Sequence, residues 1–320
     1  MRAWTYDRYG PPSVLRLDDV PVSTPEPDQV LVRVEAVSLN LSDWETLIGS
    51  PLYSRVAGLR RPRRPTLGSD IAGRVEAVGS NVTDLRPGDA VYGDNLGLKG
   101  GFAELAIAPA KALAPIPDGL SMIDASTIPQ AGPIALQGTI DHPTVGPGRR
   151  VLIIGAGGGS GSFAVQLAKA EDAQVTAVDK AHKLDHLRQL GADHVIDHET
   201  VDVFAVGERY DHVLDLVAHR SVIAVRRLLD RGGRYLCVGG SMNAVLQNAL
   251  LGPIVGRATR CRIGLLAVRP GPDRFSPLAQ RILDGEVRVH VDQVLPLERV
   301  PEALTLVGEG RALGKIVITP

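Results

Sequence analysis

Between Gly155 and Gly161 the sequence GAGGGSG spends five of seven residues on glycine, directly after the apolar run VLII and directly before FAVQLAKA. A chain that passes from a buried strand into a helix with so little side chain bares its main-chain N–H groups. With the helix dipole behind them, those groups form a resting place for a diphosphate. Two registers of the dinucleotide fingerprint are open. Begun at Gly155, the pattern puts Ser160 in the third glycine position. Begun at Ala156, it reads Ala156-x-Gly158-x-x-Gly161, with Gly159 and Ser160 between the last two glycines. Gly158 then admits the pyrophosphate to the backbone, and Gly161 lets the helix pack closely on the strand. A second strand-like run, QVTAVD, ends in Asp179, 21 positions after Gly158, where an acidic residue is expected to meet a ribose 2′-OH. A carboxylate there repels a 2′-phosphate, so the reading leans to NAD(H). Lys180, His182 and Lys183 follow at once and keep NADP(H) open by offering charge to such a phosphate.

Other reactive types are sparse. Cys237 and Cys261 stand 24 positions apart with no ligand-spaced partner, which reads as two reduced, buried thiols. His182 and His186 have the i, i+4 spacing of a chelating pair, but they flank Asp185 on a helix expected to face solvent. No metal is the expectation. LRRPRRP (Leu59–Pro65) carries four arginines and reads as a solvated, proline-extended loop. The glycines of CVGG (Val238, Gly239 and Gly240, after Cys237) end a strand-like run and permit a close approach of backbone to a ligand.

The elements that must position these residues fall into two rhythms. Up to about residue 120 short strand-like runs alternate with turns: QVLVRVEAVSLN, SDIAGRVEAVGSNV and FAELAIAPA, separated by PEPD, LRPGDAVYGD and PIPDGL. That spacing predicts a small barrel or sandwich. From Ser121, a predicted N-cap with Asp124 at the capping-box position, SMIDASTIPQAGPIALQGTI has a helical pattern. Strands and helices then alternate, as in a parallel sheet covered on both faces. The tail from Val291 returns to the style of the first third and is expected to rejoin it. The expected domains are therefore 1–120 with 286–320, and 121–285. A chain of 320 residues favours two domains. Its 44% apolar and 22% charged residues are those of a globular protein, and a net charge of −1 gives no reason to expect nucleic acid or an anionic membrane as a partner. The longest apolar region, AVLQNALLGPIVG, is interrupted by Gln247, Asn248 and Pro253, so no membrane span is expected. MRAWTYDRYG lacks a signal-like apolar core, and a cytoplasmic location is the default expectation.

Taken in order, YGPPSVLRLDDVPVSTPEPDQVLVRVEAVSLNLSDWE, PTLGSDIAGRVEAVGSNVTDLRPGDAVYG, GGFAELAIAPAKALAPIPDGLS, the glycine loop with FAVQLAKA, LGADHVIDH, YDHVLDLV, GGRYLCVGG and ALGKIVITP resemble the medium-chain dehydrogenase/reductase superfamily, in its zinc-independent quinone oxidoreductase-like branch. The resemblance covers essentially the whole chain. It implies an α/β architecture, a GroES-like β-barrel domain plus a Rossmann doubly wound parallel sheet, with the active site in the cleft between them. Zinc-dependent relatives carry Cys in the segment matching SLNLSD and Gly-His-Glu where this chain has Gly68-Ser69-Asp70. Asn40 and Ser69 stand at the Cys and His positions, and the four-cysteine structural zinc lobe is missing. Ligands of the type zinc prefers are gone, so no zinc is expected.

The resemblance further implies hydride transfer from a nicotinamide to a quinone, an enone or a similar conjugated carbonyl. It places Asn40–Asp43 beside the nicotinamide, so that Asn40 donates to the developing oxyanion. Asp43 either orients chain or water or caps a helix, and Tyr53 or Tyr92 donates a proton if it faces the cleft. Lys315 and His198 fall at cofactor-side positions, and Val238–Gly240 near the nicotinamide end. Ile134 stands where the family has a threonine by the nicotinamide, and Gln130 where a small apolar residue is usual. A homodimer is implied, with the apolar segment Ala244–Ile263 offering an edge. The alternatives are a metal-free alcohol or ketone dehydrogenase, an iminium reductase, or a non-catalytic NAD(P)-binding sensor.

Overall fold

The computed structural model describes residues 1–55 and 58–320. The chain begins with strands β1 (Arg2–Thr5), β2 (Arg16–Asp19) and β3 (Gln29–Ser38), helix α1 (Leu41–Ile48), strands β4 (Asp70–Val78), β5 (Ala90–Asp94), β6 (Leu105–Pro109) and β7 (Leu113–Pro115), and helix α2 (Met122–Ser126). It continues through α3 (Ala131–Gly138), β8 (Arg150–Ile154), α4 (Gly159–Ala170), β9 (Gln174–Asp179), α5 (Leu184–Gln189), β10 (His194–Asp197), β11 (Tyr210–Asp215) and α6 (Val222–Arg227). Then come β12 (Leu229–Cys237), α7 (Met242–Leu250), α8 (Gly252–Thr259), β13 (Arg262–Leu265), α9 (Pro272–Leu283), β14 (Val291–Pro296), α10 (Val300–Gly308) and β15 (Lys315–Thr319).

Two compact units result. The first comprises Met1–Gly132, Pro270–Asp284 and Val289–Pro320. Its sheet runs β14-β15-β3-β4-β5-β7, with β6 also paired to β3 and β1–β2 as a separate ribbon. The long strand β3 is the organiser: it pairs antiparallel with β4, β6 and β15. Its Val30, Val32, Val34 and Val37 enter the barrel core while Arg33 and Glu35 reach solvent. The return of the tail is real, since β15 lies beside β3 and brings Lys315 with it.

The second unit comprises Pro133–Arg269 and Gly285–Arg288. Its six parallel strands run β10-β9-β8-β11-β12-β13. Consecutive connections diverge between β8 and β11, the kind of switch point at whose carboxyl ends ligands bind. Leu152, Val178, Val213 and Tyr235 are fully or nearly fully buried in its core, as expected of a sheet covered on both faces.

The structure departs from the sequence reading in four places. The helical pattern from Ser121 is two helices: Ser121 caps α2, accepting from the Asp124 N–H at 3.0 Å, and the segment around Pro129 interrupts the run before α3. The unit boundary falls at 132 and not at 120, because α2 packs on β3 and β4, where Ser38 Oγ donates to Ser126 O at 2.7 Å. Helix α9 likewise belongs to the first unit, with Phe275 edge-on to Tyr92 of β5 at 4.8 Å. His186 is buried and not on a solvated face. Among the described residues no helix is long and apolar enough to cross a membrane.

Candidate functional site

In the second unit the glycine loop joins β8 to α4, with Gly158 as the N-cap. Its glycines do two different jobs. A Cβ on Gly161 would lie 2.5 Å from the carbonyl oxygens of both Gly155 and Ala156, so the first turn of α4 packs on the strand end with no room for a side chain. A Cβ on Gly158 would meet only Gly155 O, at 3.8 Å. The protein leaves that place open. The leading N–H groups of α4, from Gly159 onward, have no partner within the helix. An open N-cap before unpaired donors at a helix start suits a diphosphate.

Asp179, at the carboxyl end of neighbouring β9, is tied into the same loop. It accepts from Gly157 N at 2.7 Å and Lys180 N at 2.8 Å, and pairs with Lys183 Nζ at 3.4 Å. Lys183 is buried and committed to that pair rather than extended to solvent. A carboxylate has about four acceptor positions; three are used and one on Oδ2 remains. His198 follows β10, with its N–H on Asp179 O at 3.1 Å and its side chain exposed. Val238 leaves β12 by donating to Asp215 O at 3.0 Å. Gly240 lies against Ala218, whose carbonyl oxygen would be 2.0 Å from an added Cβ. The loop, Asp179, His198 and the Val238–Gly240 turn thus share the carboxyl edge of one parallel sheet.

In the first unit the start of α1 stands over a buried group of charges. Asn40 is the N-cap. Asp43 is wholly buried; it accepts from Asn40 N at 3.1 Å and Gly68 N at 3.3 Å, and pairs with Lys99 Nζ at 3.4 Å. Asp43 thus caps α1 and ties it to Gly68 and Lys99. Lys315, 3% exposed, donates to Asn40 Oδ1 at 2.7 Å and pairs with Asp70 Oδ2 at 3.6 Å. An ammonium can only donate, so it fixes the carboxamide with Oδ1 inward. Asn40 Nδ2 is then left buried with no well-formed hydrogen bond among the described residues, facing the Asp70 carboxyl, which it helps to hold down.

Asp70 stands directly opposite Asp94 across β4 and β5. Burial, opposed by Lys315, raises the Asp70 carboxyl, and burial with the Asp70 charge pushes Asp94 up to about 7. Burial lowers Lys315 against the pull of Asp70. Lys99 takes a left-handed backbone conformation, φ 58°, uncommon outside glycine, and its charge acts on Asp94 as well as Asp43. Neither Asp94 nor Lys99 was singled out from the sequence; no motif marks them, and only the turn after β5 brings them in. Gln130 also joins this group: its N–H points to Asp70 Oδ2 at 3.3 Å, Ser42 Oγ donates to its Oε1 at 2.9 Å, and its Nε2 has no partner.

Tyr53 donates to Glu45 Oε1 at 3.4 Å, and burial pushes that carboxyl up to about 6. Tyr92 is fully buried against Phe275, with its hydroxyl beside Ser276. The four arginines of Leu59–Pro65 are exposed. Both cysteines are free and buried.

Comparison with known proteins agrees with the two-unit fold. Residues 26–118 match the model of the alcohol dehydrogenase GroES-like domain, and residues 190–318 that of a zinc-binding dehydrogenase. A chloroplastic quinone oxidoreductase of Triphysaria versicolor is 31% identical over 100% of this chain and 98% of its own. A 2-methylene-furan-3-one reductase of Solanum lycopersicum is 30% identical over 100% of this chain and 79% of its own. Among solved structures, the quinone oxidoreductase of Coxiella burnetii superposes with a TM-score of 0.90 at 28% identity, covering 100% of this chain and 99% of that one. The chain belongs to the medium-chain dehydrogenase/reductase superfamily, and it is an NAD(P)H-dependent oxidoreductase of the quinone oxidoreductase-like kind.

Proposed function

We propose that the protein reduces a conjugated carbonyl, a quinone or an enone, without a metal, and that Asn40 receives the negative charge that develops on the substrate oxygen. The observation that carries this reading is Asn40 Nδ2, a buried donor that reaches the Asp70 carboxyl without a well-formed hydrogen bond and that a ligand oxygen can complete. Lys315 fixes the amide through its oxygen and polarises it. Gln130 Nε2 is a second buried donor, with no partner among the described residues. A nicotinamide cofactor, when bound, supplies the hydride. Gly158–Gly161 would hold its diphosphate, with Asp179 and His198 toward the adenosine and Val238–Gly240 toward the nicotinamide. The one acceptor position left on Asp179, with Lys183 already committed, favours NAD(H).

The positions that resemble zinc ligands do not suit a cation. Asn40 and Asp70 already share the ammonium of Lys315, which would repel a divalent ion. Tyr53, backed by the Glu45 carboxyl, is the proton donor in this reading. A second copy of the chain is the expected partner. Leu246, Leu250, Leu251 and Ile254 of the α7–α8 segment are between 46% and 67% exposed, an apolar face that a homodimer would cover.

The test follows NADH and NADPH absorbance against a panel of quinones, enones and ketones. Asn40→Ala is expected to lower kcat on enones about 10²-fold or more, with little change in KM. Unchanged kcat in that variant removes Asn40 from the chemistry. Nucleotide binding without turnover of any substrate favours a sensor, and turnover of simple ketones alone favours the alcohol dehydrogenase reading.

A further inference from the structure

The second unit holds a pair of like charges in strand register. Arg234 of β12 and Arg262 of β13 are direct partners on adjacent parallel strands, so both side chains leave the same face of the sheet. Like charges so placed destabilise a sheet unless something answers them. Arg234 Nε is buried and has no acceptor. Burial and the neighbouring Arg262 both lower the Arg234 guanidinium. The positive field also reaches His142, which burial and Arg234 lower in turn.

Two more arginines close the place off. Arg260 and Arg262, with Arg234, line a concavity of about 420 Å³ together with Thr144. Arg257 joins Arg234 and Arg262 around an adjoining hollow of about 530 Å³. Among the described residues no carboxylate lines either one. Among the described residues none of these four arginines forms an ion pair, and the nearby Asp230 is taken by Arg150 at 2.8 Å. Arg257 and Arg260 have a local reason to be cationic at the end of α8; Arg234 and Arg262 have none. The volume is that of a small-ligand site.

We propose that this concavity binds a phosphate-class anion, inorganic phosphate or a phosphate monoester, between Arg234 and Arg262, with Arg260 closing over it. Paired guanidinium forks match phosphate oxygens in charge and in geometry. The site is distinct from the glycine loop. Arg262 opens β13 and Arg234 lies three residues before the carboxyl end of β12, about 10 Å along the strand from the edge that carries Gly158.

The test titrates inorganic phosphate, then a phosphate monoester, into the full chain by calorimetry at constant ionic strength held with chloride. Saturable binding of one anion per chain is expected, weakened at least tenfold in Arg234→Gln and in Arg262→Gln. Thermal melts give an independent sign. Without phosphate, Arg262→Gln is expected to melt above the parent because the like-charge pair is relieved; with phosphate, the parent gains and the variant does not. Absence of saturable binding overturns the proposal. So does binding that survives both substitutions, which is binding elsewhere, such as the start of α4. An Arg262→Gln melt lowered equally in both buffers overturns it as well.

Discussion

Two like-charge pairs in strand register, one taken from each unit, are resolved differently. Asp70 and Asp94 face each other across β4 and β5, and the chain answers them from within: Lys315 comes from β15 and Lys99 from the turn after β5, both nearly buried. Arg234 and Arg262 face each other across β12 and β13 with no carboxylate turned toward them. The acidic pair is a closed charge system whose product is one fixed amide, Asn40. The basic pair is open. The same contrast runs through the glycine loop, where Gly161 is filled by the protein's own backbone and Gly158 is not. Where the protein has completed its own contacts it holds a residue in place; where it has not, the place is open to a ligand.

The largest way to break this comparison is Lys315→Met. It strands Asp70 and the Asn40 oxygen in a buried place, and loss of one partner of a buried pair costs about 3–5 kcal/mol. Denaturant unfolding should show that loss, and adding Asp70→Asn should recover much of it. A loss under about 1 kcal/mol would mean that the acidic group is not closed by Lys315.

A smaller effect sharpens the glycine contrast. Gly161→Ala forces a Cβ against two carbonyl oxygens and should cost about 1–3 kcal/mol, as overpacking does. Gly158→Ala should leave the melting temperature nearly unchanged while weakening dinucleotide binding, measured by protein fluorescence quenching. Equal melting losses in both variants, or undiminished binding in Gly158→Ala, would erase the distinction between filled and open glycines.

How far this was legible in the sequence follows from how local each feature is. The glycine loop and Asp179 lie 21 positions apart within one β-α-β passage, so spacing alone could bring them together as candidates, and in the fold Asp179 accepts from Gly157 N. The return of β15 to the first sheet was visible as a change of rhythm. The burial of Lys315 was not, because it depends on that strand lying beside β3, some 275 positions earlier. Asp94 and Arg262 carry no motif; they matter through register, and register is a property of the folded sheet. Lys183 read as a charge free to meet a phosphate and Lys99 drew no reading, because lysine is almost never buried unless paired, and the pairing is what the sequence does not display. The boundary at 132 was missed for a similar reason: α2 reads as the start of an α/β rhythm, yet its apolar side packs on β3 and β4.

The smallest expected effect tests whether the acidic pair is fully compensated. Asp94 ordinarily titrates near 3.9 in an unfolded chain, and in the folded protein burial and the Asp70 charge push it up to about 7. Between those values the native state keeps a proton that the unfolded state has released. Its stabilising contribution is therefore complete below about pH 4 and is lost as pH rises through 7. Asp94→Asn keeps an acceptor for the Leu96 N–H, now 2.9 Å from the carboxylate, and removes the titration. Melting temperatures of parent and variant should coincide near pH 4 and diverge by a few degrees near pH 8, with the variant higher. Curves that stay parallel from pH 4 to 8 would mean that Lys99 and Lys315 already neutralise both carboxylates, and the contrast with the uncompensated arginines of the second unit would then be sharper still.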